Sequence, residues 1–227
     1  MKINHKILGL IIARKGSKGL KNKNTKIFRG KPLVKWTFEA AKKSKLLNHV
    51  IVSTDSNKII KLAKQTGVDA PFVRPKNLST SNADIKSVIY HTINWLKKNR
   101  SRKYDYLMLL QATSPFRTNK HIDNSIKHFF KLSNNKNETL VSVSLAPKKT
   151  SWIMQKKGKY LNFVFNKRAP FRQMLPNYYM PNGAIFICNL SKFKKSFYSN
   201  KVISYVMNKK VSLDIDDLQD FKKGLYK

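Results

Sequence analysis

Short apolar runs alternate with amphipathic helical stretches along most of this chain, and no other feature limits its fold as tightly. Lys6 to Ala13 is an apolar run, followed by a glycine- and lysine-rich stretch over 14–31. Pro32 suits the first turn of a helix, where its missing N–H costs nothing, and that helix is predicted to reach about Ser44. His49-Val50-Ile51-Val52-Ser53-Thr54 reads as a second strand. Asp55 or Ser56 then caps a helix carrying Ile59, Ile60, Leu62 and Ala63, which Gly67 ends. Asp84 caps a third helix, whose Ile85, Val88, Ile89, Ile93 and Leu96 fit one face. Tyr106 to Leu110 is apolar throughout, as a strand covered on both faces requires. A helix over 118–132 and a strand over 139–144 follow. Alternation at this spacing predicts an α/β fold, a parallel sheet sandwiched between helices.

The later part reads differently. Residues 150–166 predict two strands around Lys157-Gly158, a hairpin. A long loop over 167–182 carries Arg168, Arg172 and two consecutive tyrosines, and loops of that length in compact domains are usually functional. Gly183 to Asn189 returns as a strand. Ser212-Leu213 is predicted as a short strand before a C-terminal helix. No linker, repeat or composition break divides the 227 residues, a length that suits one α/β domain over 1–227, with about 145–182 as an insertion.

Composition narrows the function classes. With 47 Lys and Arg against 11 Asp and Glu, the formal net charge is +36, which makes polyanions the expected ligands. A basic nucleic-acid-binding α/β protein is the competing class. Against it, the lysines are spread through every segment, without the interleaved aromatic residues of a stacking surface. No apolar run approaches the roughly 18 residues of a membrane-spanning helix. The run of seven apolar residues from Ile7 to Ala13 meets Arg14 and Lys15 at once, so a strand is expected there rather than a signal peptide. The one cysteine, Cys188, cannot form an internal disulfide, which fits a reducing cytoplasm.

Four segments could carry chemistry. Ala13-Arg14-Lys15-Gly16-Ser17-Lys18-Gly19-Leu20-Lys21-Asn22-Lys23-Asn24 follows the first strand directly. There, glycines let backbone N–H groups approach phosphate oxygens while Arg and Lys neutralise their charge. It lacks both the Gly-Lys-Ser/Thr ending of a P-loop and the dinucleotide G-x-G-x-x-G spacing. Leu109-Leu110-Gln111-Ala112-Thr113-Ser114-Pro115-Phe116-Arg117 ends a buried strand in a polar cluster. Gln111 and Thr113 could hydrogen-bond a base or sugar there, while Arg117 could instead pair with an interior carboxylate. In Asp214-Ile215-Asp216, two carboxylates alternate about an apolar residue, so both face one way on an extended segment and could hold Mg²⁺ against substrate phosphates. Capping by Asp216 or Asp217 is the alternative, and it leaves Asp214 unaccounted for. The fourth segment, Pro181-Asn182-Gly183-Ala184-Ile185-Phe186, is also ordinary turn chemistry. The five histidines form no zinc spacing.

In this order the four segments resemble the acylneuraminate cytidylyltransferases, also called CMP-sialic acid synthetases. The family's A-R-x-G-S-K-G-x-x-x-K-N matches Ala13 to Asn24, and its L-L-Q-P-T-S-P-x-R matches Leu109 to Arg117 with Ala112 for proline. Its N-G-A-I-Y matches Asn182 to Phe186 with Phe for Tyr, and its D-I-D matches Asp214 to Asp216. Ile51 to Asp55 and Arg74-Pro75 match as well. The resemblance implies a Rossmann-like three-layer αβα nucleotidyltransferase fold and a homodimer, with the hairpin reaching across to the partner subunit. It further implies transfer of CMP from CTP to the anomeric hydroxyl of a nine-carbon sugar acid. Arg14, Gly16, Ser17, Lys23, Asn24 and Arg74 would bind the nucleotide. Gln111, Thr113, Arg172, Asn182 and Phe186 would meet the sugar. Asp214 and Asp216 would hold Mg²⁺, and Lys23, Gln111 and Asp216 would carry the catalysis. Three positions depart from the pattern. Met180-Pro181 stand where Arg often precedes N-G, Ser81 replaces an Asp, and Ala146-Pro147-Lys148-Lys149 replaces a His-His-Pro stretch. Legionaminate and 3-deoxy-octulosonate are alternative sugars.

Overall fold

The computed structural model describes residues 3–17, 19–165, 175–193, 196–198 and 201–226. Strands β1 (Ile7–Ile12), β4 (His49–Ser53), β5 (Tyr106–Gln111), β6 (Thr139–Leu145), β9 (Tyr179–Asn189) and β10 (Val202–Val206) form one sheet in the order β10-β6-β9-β5-β1-β4. β9 runs antiparallel to both its neighbours, and every other pairing is parallel. The chain passes from β1 to β4 on one side, then crosses back to β5 on the other. The C-terminal ends of β1 and β5 therefore lie at a switch of strand order, where open parallel sheets leave a crevice for ligands.

Side-chain alternation divides the sheet into two buried faces. Ile7, Ile11, Met108 and Leu110 join the core under α1 (Leu33–Lys42), α2 (Asn57–Gln65) and α4 (Asn119–Leu132). Leu8, Leu10, Leu107 and Leu109 point the other way, onto Ile89 and Leu96 of α3 (Ile85–Arg100) and onto Phe193 and Phe197. The result is the expected three-layer αβα arrangement. The predicted caps form: Ser56 accepts from Ile59 N–H and Asp84 from Lys86 N–H. Gly67 follows α2 at a φ of +71°, a left-handed conformation that suits glycine.

A third, smaller cluster of Phe28, Leu33, Ile215 and Phe221 ties the start of α1 to three further elements. These are the ribbon β2 (Ile27–Phe28) and β3 (Lys31–Pro32), helix α5 (Leu218–Leu225), and the acidic segment before α5. The hairpin forms as β7 (Met154–Lys157) and β8 (Tyr160–Phe163), a separate two-stranded sheet. Two expectations need correction. Ser212-Leu213 is not a strand; the edge position belongs to β10, which pairs with β6 and shows one weakly buried face. The predicted loop also loses its last four residues, because Tyr179 to Asn182 belong to β9. That strand runs for eleven residues by passing an irregular register opposite Val141–Val143, where Pro181 is tolerated. Arg168 and Arg172 lie outside the described residues.

Candidate active site

A cleft of about 620 Å³ opens at the C-terminal ends of β1 and β5. The basic loop forms one wall with Arg14, Ser17, Gly19, Lys23 and Asn24. Gln111 and Thr113 form the floor, Asp216 and Asp217 a second wall, and Arg74 lies beside the start of the basic loop. Most of the predicted nucleotide residues thus come together with one of the predicted metal residues. Gly16 is exposed at the outer side of the loop and is absent from the cleft lining.

The basic loop touches the acidic segment directly. Lys23 is 8% exposed, and its ammonium donates to the Ile215 carbonyl at 2.6 Å and to Asp216 Oδ1 at 3.0 Å. The Asp216 carboxylate remains open to the cleft, with its side chain 76% exposed. Gly19 makes the approach possible, since a Cβ there would lie 2.5 Å from the Asp216 carbonyl oxygen. Asn24 steadies the loop by donating to the Arg14 carbonyl. Capping falls to Asp217, whose Oδ1 accepts from Asp220 N–H, so Asp216 is not spent on α5.

Asp214 lies deeper. Ile215 N–H donates to the Thr113 carbonyl, which sets this segment beside the end of β5, and the Ile215 side chain is buried away from the cleft. Burial pushes the Asp214 carboxyl above the usual carboxylate range; Asp216 adds to the rise, while the Thr113 hydroxyl and Lys23 oppose it. Asp214 Oδ1 is buried without a hydrogen-bond partner, an orphan acceptor of the kind that needs an explanation. Gly183, at a φ of +69°, packs against it: a Cβ there would lie 2.6 Å from Asp214 Oδ2 and 2.9 Å from Gln111 Oε1.

Arg117 explains the rigidity of the floor. It is fully buried, donating to the Gln111 and Ala184 carbonyls at 3.0 and 2.9 Å and to Thr37 Oγ1 at 2.7 Å. It thereby locks β5, β9 and α1 at one point. Burial pushes its pKa down to about 9, with Asp214 pulling the other way, so it stays charged at neutral pH.

Two predicted sugar residues do not reach the cleft. Asn182 is buried, and its amide is consumed by the frame: Oδ1 accepts from Ser142 Oγ and Ala184 N–H, and Nδ2 donates to Ser212 Oγ. Phe186 is 6% exposed and packs in the core against Phe197 and Tyr198, because strand alternation turns it away from the site. Arg172 lies outside the described residues. Conversely, periodicity assigned Ile85 and Val88 to the helical core face, yet with Leu78 and Ala83 they form an apolar wall of the cleft, beside Ser81. Nothing in helical spacing separates a cleft-facing apolar residue from a core one.

A family model described as "Cytidylyltransferase" matches residues 8–226. The chain is 37% identical, over 97% of its length, to an N-acylneuraminate cytidylyltransferase of Escherichia coli, and it spans about half (51%) of that relative. It is 34% identical to a CMP-N,N'-diacetyllegionaminic acid synthase of Legionella pneumophila, covering 93% of this chain and 91% of the relative. It is 29% identical to a pseudaminic acid cytidylyltransferase of Campylobacter jejuni, covering 98% and 97%. Among solved structures, a CMP:2-keto-3-deoxy-manno-octonic acid synthetase complexed with CTP shares the fold with a TM-score of 0.72, at 14% identity and 97% coverage of both chains. The match runs through the basic loop, the β5 end and the acidic segment alike, and the chain belongs to the cytidylyltransferase family.

Proposed function

We propose that this chain transfers CMP from CTP to the anomeric hydroxyl of a nonulosonic acid. The hydroxyl oxygen bonds to the α-phosphorus as its proton passes to solvent, the bond from that phosphorus to the α–β bridging oxygen breaks, and pyrophosphate leaves. One observation carries this reading: the ammonium of Lys23 and the carboxylate of Asp216, from opposite ends of the sequence, meet in a single cleft. Arg14, Ser17, Asn24 and Arg74 line the space for the nucleotide. Lys23 compensates charge that develops on the phosphates, from a position fixed before substrate arrives. Gln111 and Thr113, on the rigid floor, orient the attacking hydroxyl. The overall charge of +36 favours arrival of the polyanionic nucleotide.

The residues present suit Mg²⁺. The orphan Oδ1 of Asp214 and the open carboxylate of Asp216 supply two hard oxygen donors, the number this ion takes from protein when phosphates and water complete its shell. Bound there, the ion would act as a Lewis acid toward the α-phosphate. For the sugar half, the relatives are named for different sugar acids, so we assign the class and not the member. The hairpin exposes Ile153, Tyr160, Leu161 and Val164, and we read it as the contact between two copies of the chain. The single buried thiol, Cys188, fits a reducing cytoplasm.

The test is pyrophosphate release by the purified chain with CTP, Mg²⁺ and a panel of N-acetylneuraminate, legionaminate, pseudaminate and 3-deoxy-octulosonate. Turnover is expected with at least one, with CTP preferred to ATP and loss on chelation. A folded protein inactive with every acid, yet retained on nucleic acid in a salt-sensitive way, would overturn the reading.

A further inference from the structure

Asp55 stands two residues beyond β4, next to Arg74 of the cleft lining, and no step of the proposed reaction uses it. Its Oδ1 accepts the backbone N–H of Lys15 at 2.7 Å, and the same oxygen lies 3.9 Å from an Nη of Arg74. Arg74 is 3% exposed and otherwise donates from Nε to Ser79 Oγ, which in turn donates to the Pro75 carbonyl. Its own N–H donates to the Thr54 carbonyl, next to Asp55. Burial disfavours the charged form of Arg74 and so does the nearby Arg14, while Asp55 opposes both without cancelling them.

Arg14 and Arg74 come from segments sixty residues apart in sequence, and both line the cleft. Two like charges there repel unless an anion stands between them. The start of the basic loop is held by Ala13 N–H on the Ser53 carbonyl, by Asn24 on the Arg14 carbonyl, and by Lys15 N–H on Asp55. Only the last of these three uses an ionised acceptor, the stronger kind of hydrogen bond. One carboxylate thus stands between the loop backbone and the Arg74 guanidinium beside it.

We propose that Asp55 is a positioning residue for the nucleotide: it fixes the loop at Lys15 and holds Arg74 on the same wall, so both arginines meet the incoming phosphates or base in one arrangement. This rests on the nucleotide reading above. Preorganised donors bind more tightly because they need not be ordered on binding. The geometry separates two contributions. Asp55→Asn keeps an oxygen acceptor for Lys15 and loses the charge facing Arg74, whereas Asp55→Ala loses both.

Calorimetric binding of CTP to wild type and both variants, with steady-state kinetics for each substrate, tests the idea. The CTP dissociation constant is expected to rise about 10-fold in Asp55→Ala and about 3-fold in Asp55→Asn, with the sugar-acid KM within about 2-fold of wild type. The thermal midpoint of Asp55→Asn should stay within about 2 °C, since Asp55 sits outside the core. If Asp55→Ala does not fold, Asp55→Asn decides alone. A folded Asp55→Asn that binds CTP as tightly as wild type overturns the inference, and so does an equal loss for both substrates. Failure of wild type itself to bind CTP removes the nucleotide reading along with it.

Discussion

The cleft and the hairpin are built on opposite plans. At the cleft, the described contacts join segments far apart in the chain. Lys23 reaches Asp216, Gly19 and Gly183 admit neighbours that a Cβ would displace, and Arg117 pins three elements at once. The hairpin is a separate sheet with β7 wholly exposed, and the contacts at its root are local, with Lys148 on the Leu175 carbonyl and Asn177, and Phe165 stacked on Tyr178. The three departures from the family pattern divide in the same way: Met180-Pro181 and Ala146 to Lys149 sit at the root of the hairpin, and only Ser81 is in the cleft. The lesson is that the cleft is specified by contacts within the body, while the hairpin leaves apolar surface exposed.

The sharpest way to break this contrast is at the acidic segment. Asp216→Asn should lower turnover by at least ~10²-fold with the fold intact, since an open carboxylate does chemistry and little packing. An unchanged rate of pyrophosphate release would remove Asp216 from the mechanism. Next, Gly183→Ala should cost about 1–3 kcal/mol in chemical denaturation and reduce turnover as well. It strains a φ of +69° and drives a methyl group into Asp214 and Gln111. Full stability in that variant would mean the β9 turn does not hold the acidic segment.

Acid should reach the body before the hairpin. His49, His91 and His121 all titrate below an ordinary histidine, each because of burial first, with nearby arginines adding to it. Unfolded, each takes up a proton near pH 6.5, whereas folded each resists it. Below about pH 6.5 the unfolded state therefore binds more protons and stability falls as pH drops. Asp214, whose pKa is raised, acts in the opposite sense nearer the carboxylate range. A thermal midpoint lowered by at least ~3 °C between pH 7 and pH 5 is expected, and a flat profile would contradict it. The smallest effect is predicted at the hairpin tip. Leu161 is 63% exposed, so Leu161→Asp should change stability by less than about 0.5 kcal/mol. In sedimentation it should favour the single chain over the pair, and a loss of folding would show that the hairpin is integral to the body.

Much of this molecule is legible in one dimension. The runs of β1 and β5 are apolar throughout because helices cover both faces of the sheet, and the caps at Ser56 and Asp84 are local chemistry that any tertiary setting preserves. β10 escaped because an edge strand with alternately exposed residues buries too little to stand out. Asn182 and Phe186 were misplaced because a motif records that residues matter without recording which way they face.

The alternation of strands and helices from β1 to β6, the basic loop after the first strand and the paired aspartates were determined by sequence alone, since each depends on residues close together in the chain. That Lys23 meets Asp216, that Gly183 backs Asp214, and that Asn182 belongs to the frame while Ile85 faces the cleft were decided only by the tertiary structure. Those relations join segments tens to nearly two hundred residues apart, and their geometry is set by how the sheet stacks its strand ends, which no local periodicity encodes.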